Sequence, residues 1–281
     1  MKTGLVLEGG AMRGMFTAGV LDVFLAAGVK ADEVVGVSAG ALFGVNYLSG
    51  QAGRAVRYNK RFNGDRNYMG LRPLLKEGNL FSTSYAYDLV PRRLDPFDDE
   101  AFQKSGVPFF AVVTDVDTGE ARYMQVKSVF DQMDVLRASG SMPFVSRPVE
   151  LGGRRYLDGG VSDSIPYEWM AARGCDKLIV VLTREAAYRK TPMNPAMVRL
   201  LGVKYPALAR RLAARHADYN RALEKLERWQ KEGRAFVIRP SAKTPIGRIE
   251  TDPDKLQQVY DLGRADGKAC LPALRAYLAR Q

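Results

Sequence analysis

Histidine occurs once in the 281 residues, cysteine only twice, and no run of apolar residues approaches the length that spans a bilayer. The lone histidine, His216, offers no cluster for a metal centre and confines any histidine-based triad to one position. Cys175 and Cys270 give neither a disulfide framework nor a metal-ligand spacing. Met1-Lys2-Thr3 leads straight into the first apolar run, so no signal peptide is expected. These absences predict a cytoplasmic protein that needs no metal or cofactor. Acidic residues are also scarce late in the chain: residues 181–281 carry 21 Lys+Arg against 10 Asp+Glu, whereas residues 1–180 balance at 21 against 21. The whole excess of +11 therefore lies in the last hundred residues, and it suits a solvated basic face or an anionic partner.

What is present concentrates near the N-terminus, in two short apolar runs that each break at glycine. Val34-Val35-Gly36-Val37-Ser38-Ala39-Gly40 fits the G-x-S-x-G elbow, in which a serine sits on a tight strand-to-helix bend. Gly36 and Gly40 let that bend close, and the following helix N-terminus favours developing negative charge. The same residues also suit a plain helix cap. The other run, Leu5-Val6-Leu7-Glu8, leads into Gly9-Gly10-Ala11-Met12-Arg13-Gly14 and then an amphipathic helix with Met15, Val20, Leu21, Phe24 and Leu25 at helical spacing. Such a loop aims several backbone N–H groups into one small space, as a serine nucleophile requires for its oxyanion. A dinucleotide-binding fingerprint places glycines similarly, with an acid about 20 residues on. Asp32 and Glu33 stand near that distance but precede the second strand, where the ribose-binding acid should follow it.

Further along, residues 39–48 and 52–62 read as helices, and 66–102 as short helices and loops rather than core, a stretch that could cover a site. A central strand is expected over 107–113, a hairpin through Asp117-Thr118-Gly119-Glu120 to 121–126, a helix over 131–138, and a second hairpin turning at Gly152-Gly153. That hairpin runs into Asp158-Gly159-Gly160, where an aspartate at a strand end is followed by nothing bulky and can approach another loop. Ser38, Asp158 and His216 occur in the chain order of an α/β-hydrolase triad, yet His216 lies mid-helix among arginines instead of on a loop.

Gly-Gly-Ala-Met-Arg-Gly after one strand, Gly-Val-Ser-Ala-Gly after the next and Asp-Gly-Gly more than a hundred residues later together resemble the patatin-like phospholipases, over residues 3 to about 183. The resemblance implies a three-layer α/β sandwich with a central, mostly parallel sheet, and a lipid acyl hydrolase working with a Ser–Asp dyad and no histidine. It implies Ser38 as nucleophile, Asp158 as base, and the loop Gly9, Gly10, Ala11, Met12, Arg13 and Gly14 as oxyanion hole, chiefly through the Gly10 and Ala11 amides. Gly159 and Gly160 would shape the loop that carries the base. Ala11 stands where the family usually has a third glycine, and its Cβ is expected to keep the loop out of left-handed conformations.

Residues 177–183 read as a further core strand, 196–232 as one long helix, 235–240 as a strand, and 252–263 and 268–278 as closing helices. Leu208, Leu212, Tyr219, Leu223 and Leu226 form the long helix's apolar face, with Arg211, Arg215, Arg221, Lys225 and Arg228 over the remainder. A catalytic domain over 3–184 and a mainly helical, basic region over 185–281, separate or packed on the same core, is the expected organisation. The expected partners are a phospholipid or other acyl ester, with peripheral contact between an anionic membrane surface and Arg211, Arg215 and Arg221 as a further possibility. No aromatic-interleaved groove points to nucleic acid.

Overall fold

The computed structural model describes residues 1–280. In chain order the elements are β1 (Thr3–Leu7), α1 (Met15–Ala27), β2 (Glu33–Val37), α2 (Ala39–Leu48), α3 (Arg54–Phe62), α4 (Leu71–Glu77) and α5 (Asp99–Lys104). Then follow β3 (Phe109–Asp115), β4 (Ala121–Val126), α6 (Met133–Gly140), β5 (Val149–Leu151), β6 (Arg154–Asp158) and α7 (Tyr167–Ala172). The chain closes with β7 (Lys177–Val181), α8 (Pro195–Lys204), α9 (Pro206–Lys231), β8 (Ala235–Ile238) and α10 (Pro253–Ala279).

The strands form one sheet in the order β5-β6-β3-β2-β1-β7-β8, with β4 paired to β3. The five strands from β3 to β8 run parallel, and β4, β5 and β6 join antiparallel. Continuous apolar runs such as Lys177-Leu178-Ile179-Val180-Val181 suit strands covered on both faces. Alternate residues serve opposite layers. Leu5, Leu7, Val34 and Ile179 pack against α1, α2 and α10, while Val6, Val35, Leu178 and Val180 pack against α7 and α9. This is the α/β/α sandwich with a mostly parallel sheet expected from the sequence, and its C-terminal region is helical, with β8 added to the sheet edge.

Three expectations are corrected. The long helix breaks at Tyr205-Pro206, because proline pushes the residue before it out of the helical region; Tyr205 sits at φ −135°, ψ 73°. The two closing helices are a single α10. Gly263 and Gly267, which read as punctuation, instead let α10 cross α1 closely: a Cβ at Gly263 would lie 2.1 Å from the Phe16 carbonyl oxygen. Finally, residues 66–102 are not coreless. Phe62, Tyr68, Met69, Leu80 and Val90 make a small cluster of their own beneath a wide π-helical segment, Tyr85–Leu94.

Candidate active site

β2 ends at Val37 and the chain turns at Ser38, which adopts φ 53°, ψ −120°, a conformation strained for any residue with a side chain. The turn is tight because its neighbours are glycines: a Cβ at Gly40 would lie 2.3 Å from the Leu7 carbonyl oxygen, and one at Gly36 would lie 2.6 Å from the Ala41 nitrogen. Ser38 begins α2, yet its side chain makes no capping hydrogen bond there. Its backbone N–H donates instead to Ser139 Oγ (2.9 Å), whose hydroxyl donates to the Val112 carbonyl (2.7 Å).

Asp158 arrives by strand pairing. β4 holds one edge of β3 over residues 109–114, and β2 holds the other up to Val112. β6 takes over that second edge from Val113, opposite Asp158, so the aspartate stands one step beyond the end of β2, beside the Ser38 turn. Gly159 makes the approach possible, since a Cβ there would lie 2.2 Å from the Val112 carbonyl oxygen. Asp158 Oδ1 accepts from the Gly160 N–H (2.8 Å), and its backbone is pinned by Ser141 and Thr114. Burial pushes the Asp158 carboxyl above its ordinary value, while the facing Ser38 hydroxyl and the Arg215 guanidinium pull it back down.

The glycine loop completes the junction. Gly9 lies against the Ser38 turn, where a Cβ on it would sit 2.9 Å from the Val37 carbonyl oxygen. Ala11 to Gly14 form a turn of 3-10 helix that leads into α1. Ala11 is left-handed, at φ 48°, despite its Cβ, which corrects the expectation from the sequence. Neighbouring bonds hold it there: Arg13 N–H donates back to the Gly10 carbonyl (3.2 Å), and Met12 N–H donates to the Arg248 carbonyl (3.3 Å). The amides of Gly10 and Ala11 find no protein acceptor among the described residues.

A Patatin-like phospholipase family model matches residues 5–170. The chain belongs to the patatin-like phospholipase family. A second family model, a domain of unknown function (DUF6363), matches residues 205–279. Among relatives, the chain is 29% identical to the uncharacterized protein YjjU of Escherichia coli (strain K12), over all of this chain and 80% of that protein. It is 24% identical to Lysophospholipase NTE1 of Candida glabrata, over 96% of this chain but only 16% of that much longer protein. Among solved structures, VipD from Legionella pneumophila aligns with a TM-score of 0.47 at 12% identity, covering 97% of this chain and 67% of that one.

In this patatin-like chain, Ser38 and Ala11 lie on the wall between two chambers. One is apolar, walled by residues such as Leu42, Phe43, Tyr58, Tyr87, Val90 and Phe97. The other is polar, and Asp158, Gly9, Gly10, Arg13 and Gly160 line it together with Glu8, Arg184, Lys190, Arg215 and Arg248. Those last five escaped the sequence reading. A signal for Arg215 existed: it is three residues after Leu212 and four before Tyr219, so it falls on the buried stripe of α9 and not on its solvent face. The three arginines proposed for a membrane face are correspondingly dispersed. Arg211 pairs with Asp218 (3.2 Å), Arg221 also pairs with Asp218, and Arg215 turns inward.

The structure does not bring His216 to Ser38. Its ring bonds the Ala213 carbonyl on its own helix (3.0 Å) and does not line the cleft. Asp32 and Glu33 lie at the opposite end of β2 from Ser38. Asp32 accepts from the Thr3 N–H (2.7 Å), and Glu33 pairs with Arg173, so neither acid faces the glycine loop.

Proposed function

We propose that the chain is a serine lipid acyl hydrolase, a carboxylic ester hydrolase in which Ser38 is the nucleophile and Asp158 the base. The observation that carries this reading is a strained serine, free of helix-capping duty, facing a buried aspartate whose affinity for a proton is raised. Ser38 Oγ attacks the ester carbonyl carbon as its proton passes to Asp158. The resulting oxyanion accepts from the Gly10 and Ala11 amides, which have no competing acceptor. Collapse breaks the acyl C–O bond, and the departing alcohol takes the proton from Asp158. Water then attacks the acyl-serine, with Asp158 again as base, and releases the fatty acid. The apolar chamber takes the acyl chain.

The test is turnover of p-nitrophenyl butyrate. Ser38→Ala should abolish it, Asp158→Asn should reduce it by about a thousandfold or more, and His216→Ala should leave it within about twofold. Full loss in His216→Ala with activity retained in Asp158→Asn would overturn the assignment.

No helix among the described residues is long and apolar enough to cross a membrane. We propose that the protein meets lipid at a bilayer surface through α8. There Leu200 and Val203 are 72% and 85% exposed beside Arg199 and Lys204, an apolar stripe with a basic flank.

A further inference from the structure

Five cations surround the polar chamber: Arg13 from the glycine loop, and Arg184, Lys190, Arg215 and Arg248 from the chain after β7. None of the five side chains makes an ion pair or hydrogen bond among the described residues, and the Nε atoms of Arg13 and Arg215 are buried without a partner. Arg184 and Lys190 rest on aromatic faces, 4.2 Å from the Tyr188 ring and 4.3 Å from the Tyr219 ring. Only two carboxylates share the chamber, and both are occupied. Glu8 accepts from Thr183 N–H (2.6 Å) and from Tyr219 O–H (2.6 Å), while Asp158 accepts from Gly160 and faces Ser38.

Arg13 is buried and Arg184, Lys190 and Arg215 are half-buried, while Arg248 is exposed; unpaired charges of one sign withdrawn from water are unfavourable unless something neutralises them. Here the strain is visible in the groups themselves. Burial, Arg184 and Arg248 together lower Arg13 to about 10, and burial with Arg215, Arg248 and Arg13 lowers Lys190 to about 7. The chamber holds about 80 Å³, against the roughly 10–15 Å³ that one water requires, so a tetrahedral oxyanion fits. Arginine forks and a lysine point charge are the donor set that phosphate selects.

We infer that this chamber is a subsite for a phosphate group on the alcohol side of the ester, so that the preferred substrate is an acyl ester whose headgroup is an anionic phosphate carrying no cation of its own. The assignment of sides rests on the serine hydrolase reading: with the carbonyl at Ser38 and the acyl chain in the apolar chamber, the leaving alcohol must extend into the cationic one. Only the acyl C–O bond breaks. The phosphate ester is untouched and leaves with its alcohol. Two further consequences follow. A choline or ethanolamine headgroup finds no free carboxylate here. Binding of a phosphate should also draw a proton onto Lys190, which faces Arg13, Arg184, Arg215, Arg248, Glu8, Asp158, Tyr188 and Tyr219 across the chamber.

The experiment compares kcat/KM for oleoyl lysophosphatidic acid, oleoyl lysophosphatidylcholine and monooleoylglycerol. The first should exceed the other two by at least tenfold. Lys190→Met and Arg248→Gln should each lower the ratio of lysophosphatidic acid to monooleoylglycerol at least tenfold. Arg189→Gln, a neighbour paired with Glu227 outside the chamber, should keep it. An unchanged ratio in both chamber variants, or equal turnover of all three lipids, would overturn the inference. Calorimetry on Ser38→Ala separates the sources of phosphate and does not depend on turnover. Tighter binding of glycerol 3-phosphate or lysophosphatidic acid than of inorganic phosphate, lost in Lys190→Met, supports a headgroup subsite. Binding of inorganic phosphate alone, without lipid selectivity, would reassign the chamber to the free anion and refute the headgroup. If Ser38→Ala retains esterase activity, the serine reading falls by itself, and the calorimetry still reports on the chamber.

Discussion

Ser38 and Asp158 each occupy an unfavourable state that the surrounding fold imposes. A serine at φ 53° carries about 1–3 kcal/mol of backbone strain, and a buried carboxylate gives up part of its hydration. For a base, that loss is useful, because an aspartate at its ordinary value of about 3.9 would scarcely accept a proton near neutrality. The sign of the pH dependence follows. As the proposed base, Asp158 must be ionised to act, and its folded value is raised, so kcat/KM for a neutral ester should fall with decreasing pH at a higher pH than an ordinary carboxylate would give. Arg215 stabilises the ionised form, so Arg215→Gln should move that acidic limb further upward. A pH–rate profile of the two proteins checks it, and an unmoved limb would remove Arg215 from the electrostatics of the base. At this scale much was legible in sequence, because the elbow and the Asp-Gly-Gly turn are local patterns. Ala11 was not. Its left-handed conformation is held by hydrogen bonds to Gly10 and to Arg248, and the second of these partners lies far along the chain.

Among the elements, the π-helical segment Tyr85–Leu94 carries the wall of the apolar chamber through Ala86, Tyr87, Val90 and Pro91. Ala86→Phe should therefore shorten the acyl chains accepted. Turnover of p-nitrophenyl laurate should drop about tenfold, the scale of a small steric mismatch in an apolar pocket, while p-nitrophenyl butyrate is cleaved nearly as before. A parallel loss on both esters would mean that the segment supports the fold and not the pocket. Ala86, Tyr87, Val90 and Pro91 stand at helical spacing, but Pro91 inside the run argues against a helix in sequence, so 66–102 read as short helices and loops. By contrast, α2 runs over Ala39–Leu48 as its apolar run implies. The error at α10 has a physical source: a glycine that ends a helix and one that lets two helices touch look alike in sequence.

At the scale of the molecule, the C-terminal region shares the core with the rest. Leu256, Val259, Tyr260, Leu274 and Tyr277 of α10 belong to the same cluster as Leu5, Phe16 and Val34. Glu8 ties the end of β1 to Thr183 and to Tyr219 of α9, which places Arg215 over the site. We propose that residues 3–184 carry the nucleophile and base, together with Arg13 and Arg184, while 185–281 supply Lys190, Arg215 and Arg248 of the cationic wall. The charge asymmetry was plain in the composition, but its division between an inward cluster and exposed pairs depends on which way α9 is rotated. The surface of α8 is tested by vesicle sedimentation. Leu200→Asp with Val203→Asp should reduce binding to anionic vesicles at least several-fold, and binding equal to the parent protein would exclude α8 as the contact.

The central claim is that Ser38 is the nucleophile, and the most direct measurement is reaction with a fluorophosphonate followed by peptide mass mapping. The account predicts a single adduct on the peptide containing Gly36-Val37-Ser38-Ala39-Gly40, absent in Ser38→Ala and strongly slowed in Asp158→Asn. An adduct on any other residue, or equal labelling of the Ser38→Ala protein, would contradict it.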